Sequence, residues 1–418
     1  MAIKRCADAP ATPRPRTAKR ALLDSPPPPL PYLPSDVILA ILSWLPPKSV
    51  LRFSSVCKAW RAMLSDPGFI TAHLERSKTI RPSLLMVPCA YDPDDIRKNN
   101  EDSAFDVSFY RYRAGGAEEL ELLHREELPG GIALWSSPLH CDGLILVSTM
   151  REEELVVCNP ATREFVALPE RKQKHCAYTF PRAGLGFDPR SKRYKVARFF
   201  YEAVDSDDCL ACRFEVLTLG ADSAWRRTAD PPHWICGRTP AHVNGYIYWT
   251  CGGEPARPDP PDQSLRFSLA DEEFSPVPFP PSCFRPARLA ELGGELCCVC
   301  FGYTNLELEV WSLSFDGRVD GKLEWRWSRR WATVIGPDLV TELAECRALR
   351  PPRVVLHEGA WLLTEERNVH QYDDRTGEIE KISSGVPDAR YHYPRREKEV
   401  VLHLTNYVES LVRITYMT

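Results

Sequence analysis

Residues 33–74 of this chain read LPSDVILAILSWLPPKSVLRFSSVCKAWRAMLSDPGFITAHL, and their pattern is the clearest structural signal in the sequence. Apolar side chains recur in it at spacings of three and four residues, beginning with Ile38, Ile41, Leu42 and Leu45. That spacing places them on one face of a helix. The stretch carries more apolar residues than so small a bundle can bury by itself. It therefore predicts an all-helical module that completes its core against another protein.

Proline, glycine and aspartate divide this stretch into short helices. We expect the proline pair at residues 46–47 to end the first helix and the break at residues 66–68 to end the third. Only one or two helical turns then remain in residues 69–74. The predicted caps are polar residues just before the first and third helices, namely Ser35 or Asp36, and Ser54 or Ser55.

The same residues resemble the F-box along the whole motif without a gap. The matching positions are Leu33-Pro34, Ile41-Leu42, Leu45-Pro46, Val56-Cys57-Lys58, Trp60-Arg61 and Asp66-Pro67-x-Phe69. In that family the motif binds the Skp-type adaptor, and through it a cullin, of an SCF ubiquitin ligase. The resemblance implies adaptor-binding or motif-core roles for Leu33, Pro34, Ile38, Ile41, Leu42, Leu45, Val50, Leu51, Val56, Cys57 and Trp60.

For each of these residues, contact with the adaptor and packing within the module both stay open. Ile38 and Val56 are examples that would serve either purpose. Compact interfaces draw most of their affinity from a few large anchors. We therefore expect Leu42, Leu45 and Trp60 to dominate adaptor affinity.

The composition argues against several other classes of protein. The chain has 418 residues, and its formal net charge of −4 is too small to favour nucleic acid or an acidic membrane as the main partner. No run approaches the roughly 18 apolar residues that a membrane helix needs. Fifteen cysteines occur without a recognisable secretory leader. We therefore expect a reducing compartment, the nucleus or the cytoplasm, with most cysteines present as buried free thiols.

Residues 1–30 are basic and rich in proline, and we expect them to form a disordered tail. Lys4-Arg5 and Lys19-Arg20 have the form of a two-part nuclear import signal, although a solvated tail is the simpler interpretation. The predicted organisation is thus this tail, a helical module at residues 31–76 and a larger region at residues 80–418.

Beyond residue 80 the apolar pattern changes from helical to strand-like. Five units recur, each with a hairpin that has glycine at its turn, a further strand, a polar turn and an apolar or aromatic anchor. Their period of about 50 residues is typical of kelch-like propellers, in which four-stranded blades surround a channel. We expect five tryptophans to pack between blades: Trp225, Trp249, Trp311, Trp325 and Trp361.

This region resembles the F-box-associated domain that follows the F-box in large plant families. The resemblance lies in residues 158–163 (CNPATR), 186–189 (GFDP), 243–249 (VNGYIYW) and 407–412 (YVESLV). It implies a kelch-like propeller that recruits a target protein. Residues 83–128 would then pair with the strand around residues 400–404 to close the ring. Insertions rich in proline and charge, such as residues 252–263, leave the number of blades open.

The sequence contains no motif that predicts a catalytic, metal or cofactor site. Cys209-x-x-Cys212 is a lone pair, and a zinc site needs four ligands. In the run 297–300, strand alternation sends Cys298 and Cys300 to one face, as expected for buried thiols. Neither a glycine-rich phosphate loop nor a G-x-S-x-G elbow is present. The histidines show no clustering of the kind a copper oxidase propeller requires.

The predicted fold class is therefore α+β multidomain, a small all-α F-box module followed by an all-β kelch-like propeller. The predicted function is non-catalytic: a substrate receptor of an SCF-type ligase that binds a Skp-type adaptor and an unidentified target. The main alternative is an F-box scaffold that sequesters the adaptor without delivering a target. A propeller enzyme is a remote third possibility.

Overall fold

The computed structural model describes nineteen segments of the chain. These are residues 33–80, 83–91, 104–112, 120–129, 131–132, 137–149, 154–170, 182–203, 210–235, 239–252, 263–281, 287–302, 306–319, 322–335, 353–357, 359–365, 368–373, 376–384 and 399–414. The basic tail predicted at residues 1–30 lies outside them.

Four helices form the amino-terminal module: α1 (Ser35–Leu42), α2 (Pro47–Phe53), α3 (Lys58–Leu64) and α4 (Pro67–Ile80). The predicted caps are wrong. Pro34 precedes α1 without a side-chain cap, and the cap of α3 is Cys57, whose Sγ accepts a hydrogen bond from Trp60 N at 3.4 Å.

The fourth helix is longer than the predicted one or two turns, because it has 14 residues. Asp66 caps its first turn, since Asp66 Oδ1 accepts hydrogen bonds from Gly68 N at 2.8 Å and Phe69 N at 3.1 Å. Proline at position 67 is also compatible with a helix start. The predicted break at residues 66–68 is therefore the place where α4 begins.

In the described residues, twenty-four strands follow in six four-stranded antiparallel sheets, the blades of a propeller. Blade 1 contains β1 (Ser83–Tyr91), β2 (Ala104–Tyr112), β3 (Leu120–Pro129) and β24 (Glu399–Tyr407). Blade 2 contains β4 (Leu139–Cys141), β5 (Leu144–Ser148), β6 (Leu155–Asn159) and β7 (Glu164–Ala167). Blade 3 contains β8 (Arg182–Asp188), β9 (Arg193–Ala203), β10 (Leu210–Thr218) and β11 (Arg226–Arg227).

The remaining three blades repeat this arrangement. Blade 4 contains β12 (Ala241–Val243), β13 (Tyr246–Thr250), β14 (Gln263–Ser268) and β15 (Phe274–Pro278). Blade 5 contains β16 (Ala287–Leu292), β17 (Glu295–Gly302), β18 (Glu307–Val319) and β19 (Lys322–Val334). Blade 6 contains β20 (Arg353–His357), β21 (Ala360–Glu365), β22 (Asn368–Tyr372) and β23 (Ile379–Ser384). The innermost strands β24, β4, β8, β12, β16 and β20 contact one another in that order and complete a ring.

The ring closes through the last strand of the chain. β24 pairs antiparallel with β1 along its length, with Ser83 opposite Tyr407 and Met86 opposite Leu404. This confirms the predicted pairing of residues 83–128 with the strand around residues 400–404. Because β24 follows blade 6 in the sequence but pairs with β1, the ring is closed by backbone hydrogen bonds between these two strands.

Tight turns join the first two strands of several blades, as the glycine pattern predicts. Asp142 and Gly143 have φ values of 54° and 90°, and Asn244 and Gly245 have 49° and 80°. Two successive positive φ values define a type I′ hairpin turn, which suits the twist of the flanking strands. The predicted glycine hairpins are thus confirmed in blades 2 and 4.

The propeller core consists of six apolar clusters, one between each pair of neighbouring blades. Trp249, which is 0% exposed, lies between blades 3 and 4, and Trp361 lies between blades 5 and 6. Trp225, Trp311 and Trp325 are partly buried against such clusters. The prediction that these tryptophans pack between blades is confirmed.

The cysteine run in β17 shows the same two-sided packing. Cys297 joins the cluster between blades 5 and 6, whereas Cys298 and Cys300 join the cluster between blades 4 and 5. The two sulfurs on the shared face lie 3.7 Å apart as free thiols. The predicted alternation of this strand is therefore confirmed.

Candidate functional site

Exposed large apolar side chains are concentrated in the helical module. Among the described residues eight such side chains are exposed, and six of them lie between residues 33 and 56: Leu33, Val37, Ile41, Trp44, Phe53 and Val56. The other two, Leu122 and Val334, are isolated on outer strands of blades 1 and 5. Such a concentration of exposed apolar side chains marks a protein–protein interaction site.

The first exposed group follows one side of α1. We define the α1 stripe as Leu33, Val37, Ile41 and Trp44, of which Ile41 is 52% and Trp44 is 54% exposed. Val37, Ile41 and Trp44 line a shallow pocket together with Asp36 and Ala40. The Arg76 guanidinium of α4 lies 4.5 Å from the centroid of the Trp44 ring. This cation–π contact orients the indole without covering the stripe.

A second exposed group lies where α2 leads into α3. Val56 is 64% exposed, and the Phe53 ring contacts Trp60 edge to face with centroids 5.7 Å apart. Cys57 is exposed beside them and caps α3. The cap and the ring contact thus both involve Trp60, whose backbone N–H bonds to Cys57 while its ring packs on Phe53.

The structure divides the residues predicted for adaptor binding into three groups. Exposed ones are Leu33, Pro34, Ile41, Val56 and Cys57, and partly buried ones are Ile38, Leu45, Leu51 and Trp60. Leu42 and Val50 are 4% and 1% exposed and lie in the core of the module with Leu64 and Phe69. Leu42 therefore stabilises the module and is not placed to serve as a surface anchor. The adaptor contacts of the other residues stay a prediction.

Three exposed side chains of this surface, Val37, Trp44 and Phe53, were not predicted from the sequence. Val37, Ile41 and Trp44 follow one another at spacings of four and three residues. That second periodic series, offset from the one that contains Ile38 and Leu42, was the available signal. A helix that is apolar on both sides needs two partners, and one of them is outside the module.

The opposite side of the module rests on the propeller. Leu74 of α4 is buried in the cluster between blades 2 and 3, and Ile70 packs against that cluster. Lys78 Nζ forms an ion pair with Asp142 Oδ1 in the first turn of blade 2, at 2.9 Å. Burial opposes the charged form of Lys78, but Asp142 outweighs it, and the pKa of Lys78 is raised.

The two ends of the propeller differ in the segments that join their strands. The end in contact with the helices has short turns, such as residues 189–192 and 219–225 of blade 3. Strand ends joined by longer segments, such as residues 228–240 and 335–352, lie at the other end. Binding residues are commonly carried by such connections on a rigid scaffold.

Buried titratable groups beneath the helices hold the backbone in place. Burial lowers the pKa of His140 to about 4, and His140 Nε2 accepts a hydrogen bond from Gly143 N at 2.8 Å. Burial also lowers the pKa of His242, whose Nε2 accepts from Phe187 N at 3.2 Å. Both rings are neutral acceptors at pH 7. Their role is therefore structural.

No group of three or more His, Cys, Asp or Glu side chains in the described part of the chain is arranged to hold a metal ion. Cys212 is buried, and burial raises the pKa of its thiol to about 12. Cys209, the other half of the lone C-x-x-C pair, lies outside the described residues. Among the described helices, none is long and apolar enough to span a membrane.

Two family profiles match this chain. A profile described as "F-box associated beta propeller domain" matches residues 120–336, and one described as "F-box-like" matches residues 30–74. The Arabidopsis thaliana "F-box protein At2g07140" is 29% identical over 312 residues, covering 70% of this chain and 74% of its own. The "F-box/kelch-repeat protein At3g44120" of the same plant is 28% identical over 311 residues, covering 70% and 74%.

Proposed function

Because the chain belongs to the F-box associated beta-propeller family and carries an F-box, we propose that it is the substrate receptor of an SCF-type ubiquitin ligase. The helical module binds a Skp-type adaptor, and through it a cullin, and the propeller binds a target protein. The observation that carries this proposal is the concentration of exposed apolar side chains on the module, while its other side is occupied by the propeller.

The mechanism in this proposal is positional. The chain brings a bound target close to the ubiquitin-loaded enzyme and so raises the effective concentration of the target's lysines there. No residue of the chain forms or breaks a bond in this scheme. The members of this family are in general non-catalytic adaptors, which agrees with such a role.

The adaptor surface proposed here comprises the α1 stripe together with Phe53, Val56 and Trp60. Two large aromatic rings, those of Trp44 and Trp60, are held in place by Arg76 and Phe53 respectively. Rings that are already oriented lose little conformational entropy on binding, so they are good candidates for anchors. We assign the target to the propeller end with the longer connections, because the helices cover part of the other end.

A pull-down of the tagged full-length chain with a Skp-type adaptor and its cullin tests the proposal. Replacing Ile41 by lysine puts a charge in the middle of the α1 stripe, and we expect at least a roughly tenfold loss of retained adaptor. Lysine in the last turn of a helix is compatible with the helix dipole, so α1 itself should persist. Val334→Lys, at another exposed apolar position, is the matched control and should retain the adaptor.

Capture of the adaptor by neither wild type nor control would contradict the proposal, as would equal capture by Ile41→Lys. Receptor and scaffold are then separated by comparing protein abundance in cells with and without the chain, each with and without a proteasome inhibitor. A receptor shortens the half-life of at least one protein, and that effect disappears with the inhibitor. A scaffold leaves all half-lives unchanged.

A further inference from the structure

The carboxy-terminal segment that follows β24 contacts both the helical module and the propeller. We propose that residues 408–414, here called the joint, fix the module to blade 2, so that the adaptor surface and the propeller move as one body. This inference rests on the proposed function only for the reason why a rigid connection would be useful to the protein. The contacts that carry it belong to the chain itself.

On the module side, the joint contributes a side chain to the helical core. Leu411 is 4% exposed and lies in one cluster with Leu42, Val50, Leu64 and Phe69. The module is too small to bury its apolar residues unaided, and Leu411 covers part of that core from outside. Separation of the joint from the helices would therefore expose apolar surface on both.

On the propeller side, the joint is held by hydrogen bonds to blade 2. Asn159, which is 0% exposed, donates from Nδ2 to Ser410 O at 3.2 Å and to Val412 O at 2.8 Å. Ser410 Oγ donates to Asp142 O at 2.6 Å, and Ile414 N donates to Glu164 Oε2 at 3.0 Å. Buried polar groups with satisfied hydrogen bonds are costly to separate, so this side of the joint is rigid.

Further contacts link the three parts at the same place. Val412 and Ile414 enter the cluster between blades 2 and 3 that also contains Leu74 of α4. Asp142, whose carbonyl accepts from Ser410, pairs through its carboxylate with Lys78 of α4. Joint, fourth helix and blade 2 thus share one core and one turn, and none of them can move without disturbing the others.

Replacing Gly143 by alanine adds one methyl group, which would push the joint away from blade 2. A Cβ there would lie 2.2 Å from Ser410 Oγ and 3.0 Å from Val408 O, so the joint would have to shift. Gly359, in the first turn of blade 6, has φ +83° against +90° for Gly143, and nothing lies within 4 Å of its Cβ position. Gly359→Ala therefore imposes similar backbone strain without touching the joint.

The test measures distances between the two parts in the full-length chain. Donor and acceptor fluorophores are introduced as unnatural amino acids at Lys58 in α3 and Val334 in β19, both exposed. Wild type and Gly359→Ala should give one narrow distance distribution. Gly143→Ala should broaden it at least about twofold, as expected when a packed contact becomes a hinge.

A second variant, Leu411→Ala, tests the joint independently in case Gly143→Ala does not fold. Leu411→Ala leaves blade 2 intact and weakens only the module side of the joint, so it should broaden the distribution as well, with far-UV circular dichroism unchanged. A broad distribution in wild type overturns the inference, and so does a Gly143→Ala distribution that matches Gly359→Ala.

The same variants keep the two proposals separate. Gly143→Ala leaves the α1 stripe untouched, so a Skp-type adaptor should be retained as by wild type. Failure of wild type to bind the adaptor would remove the proposed function and leave the distance measurements valid. A narrow distance distribution in every variant, together with adaptor binding, would contradict the inference about the joint and leave the proposed function unaffected.

Discussion

The propeller buries its apolar side chains, whereas the helical module leaves several of its own exposed. Each blade has a neighbour on both sides, so its two faces are buried in the six clusters between blades. The module has one neighbour, the propeller with its joint, and its free side leaves Ile41 and Trp44 exposed. Closed repetition therefore buries both faces of every sheet, whereas an open helical bundle keeps one side available for a partner.

Two tryptophans give the strongest test of this comparison. Trp249 is fully buried and contacts Phe199 and Phe214 edge to face, with centroids 5.3 and 6.0 Å away. Trp249→Ala should lower the free energy of unfolding of the propeller by about 3–5 kcal/mol, because it leaves a cavity between blades 3 and 4. Urea unfolding followed by far-UV circular dichroism measures the loss.

Trp44→Ala is the counterpart on the module. It removes an exposed ring and its contact with Arg76, so stability should fall by less than about 1 kcal/mol, whereas adaptor retention should fall strongly. Equal stability losses for the two tryptophans would contradict the distinction between a closed propeller and an open module.

A smaller effect is expected at the ion pairs that link blades 3 and 4. Lys195 Nζ lies 2.9 Å from Glu272 Oε1 of blade 4 and 3.3 Å from Asp188 Oδ2, whose side chain is 2% exposed. Lys195→Met removes the cation that pairs with the buried Asp188 and one of the two cations that pair with Glu272, the other being Arg226, and should cost about 3 kcal/mol in the same unfolding experiment. Arg190→Ala removes an exposed pair with Asp271 and should leave the urea midpoint unchanged.

The smallest expected effect is the acid sensitivity of the same network. Burial by itself would raise the pKa of Asp188, but hydrogen bonds from Ser191, Arg190 and Lys195 outweigh it and the pKa is lowered. The pKa of Glu272 is lowered in the same way by Arg226 and Lys195. The unfolded carboxyls, with pKa values of about 3.9 and 4.3, take up protons first as the pH falls.

The stabilisation from these carboxylates is therefore complete above about pH 5 and is lost as the pH falls through their folded pKa values. Urea midpoints between pH 7 and pH 3 measure the loss. Asp188→Asn should lower the midpoint at pH 7 and flatten its fall with acid. An unchanged slope would assign the acid sensitivity to other groups.

Much of the propeller follows from short-range rules in the sequence. The glycine at 143 and the asparagine and glycine at 244–245 predict hairpins because few other residues adopt their φ values. Alternation in β17 predicts opposite faces for Cys297 and Cys298 because strand geometry requires it. Ring closure between β1 and β24 is predicted by the resemblance and by the need to avoid open sheet edges.

The surface of the module was less predictable, since α1 is apolar on two sides. Periodicity identifies Ile41 and Leu42 equally well, yet one is 52% exposed and the other 4%. Packing against Leu411 and helices α2–α4 determines which of the two side chains is buried. Leu411 is distant in sequence, and the positions of the helices depend on tertiary packing. The length of α4 has the same origin, because Leu74 is buried against blades 2 and 3.

Closure of the ring by β24 also sets the order in which the protein can mature. Residues 399–407 leave the ribosome after strands β1 to β23, so blade 1 lacks its innermost strand, and the joint is absent, until those residues have been made. Until then, the edge of β1 offers unpaired backbone groups to other chains. A nonsense mutation anywhere before residue 399 should therefore give an aggregation-prone product, even when the whole F-box and five blades have been translated.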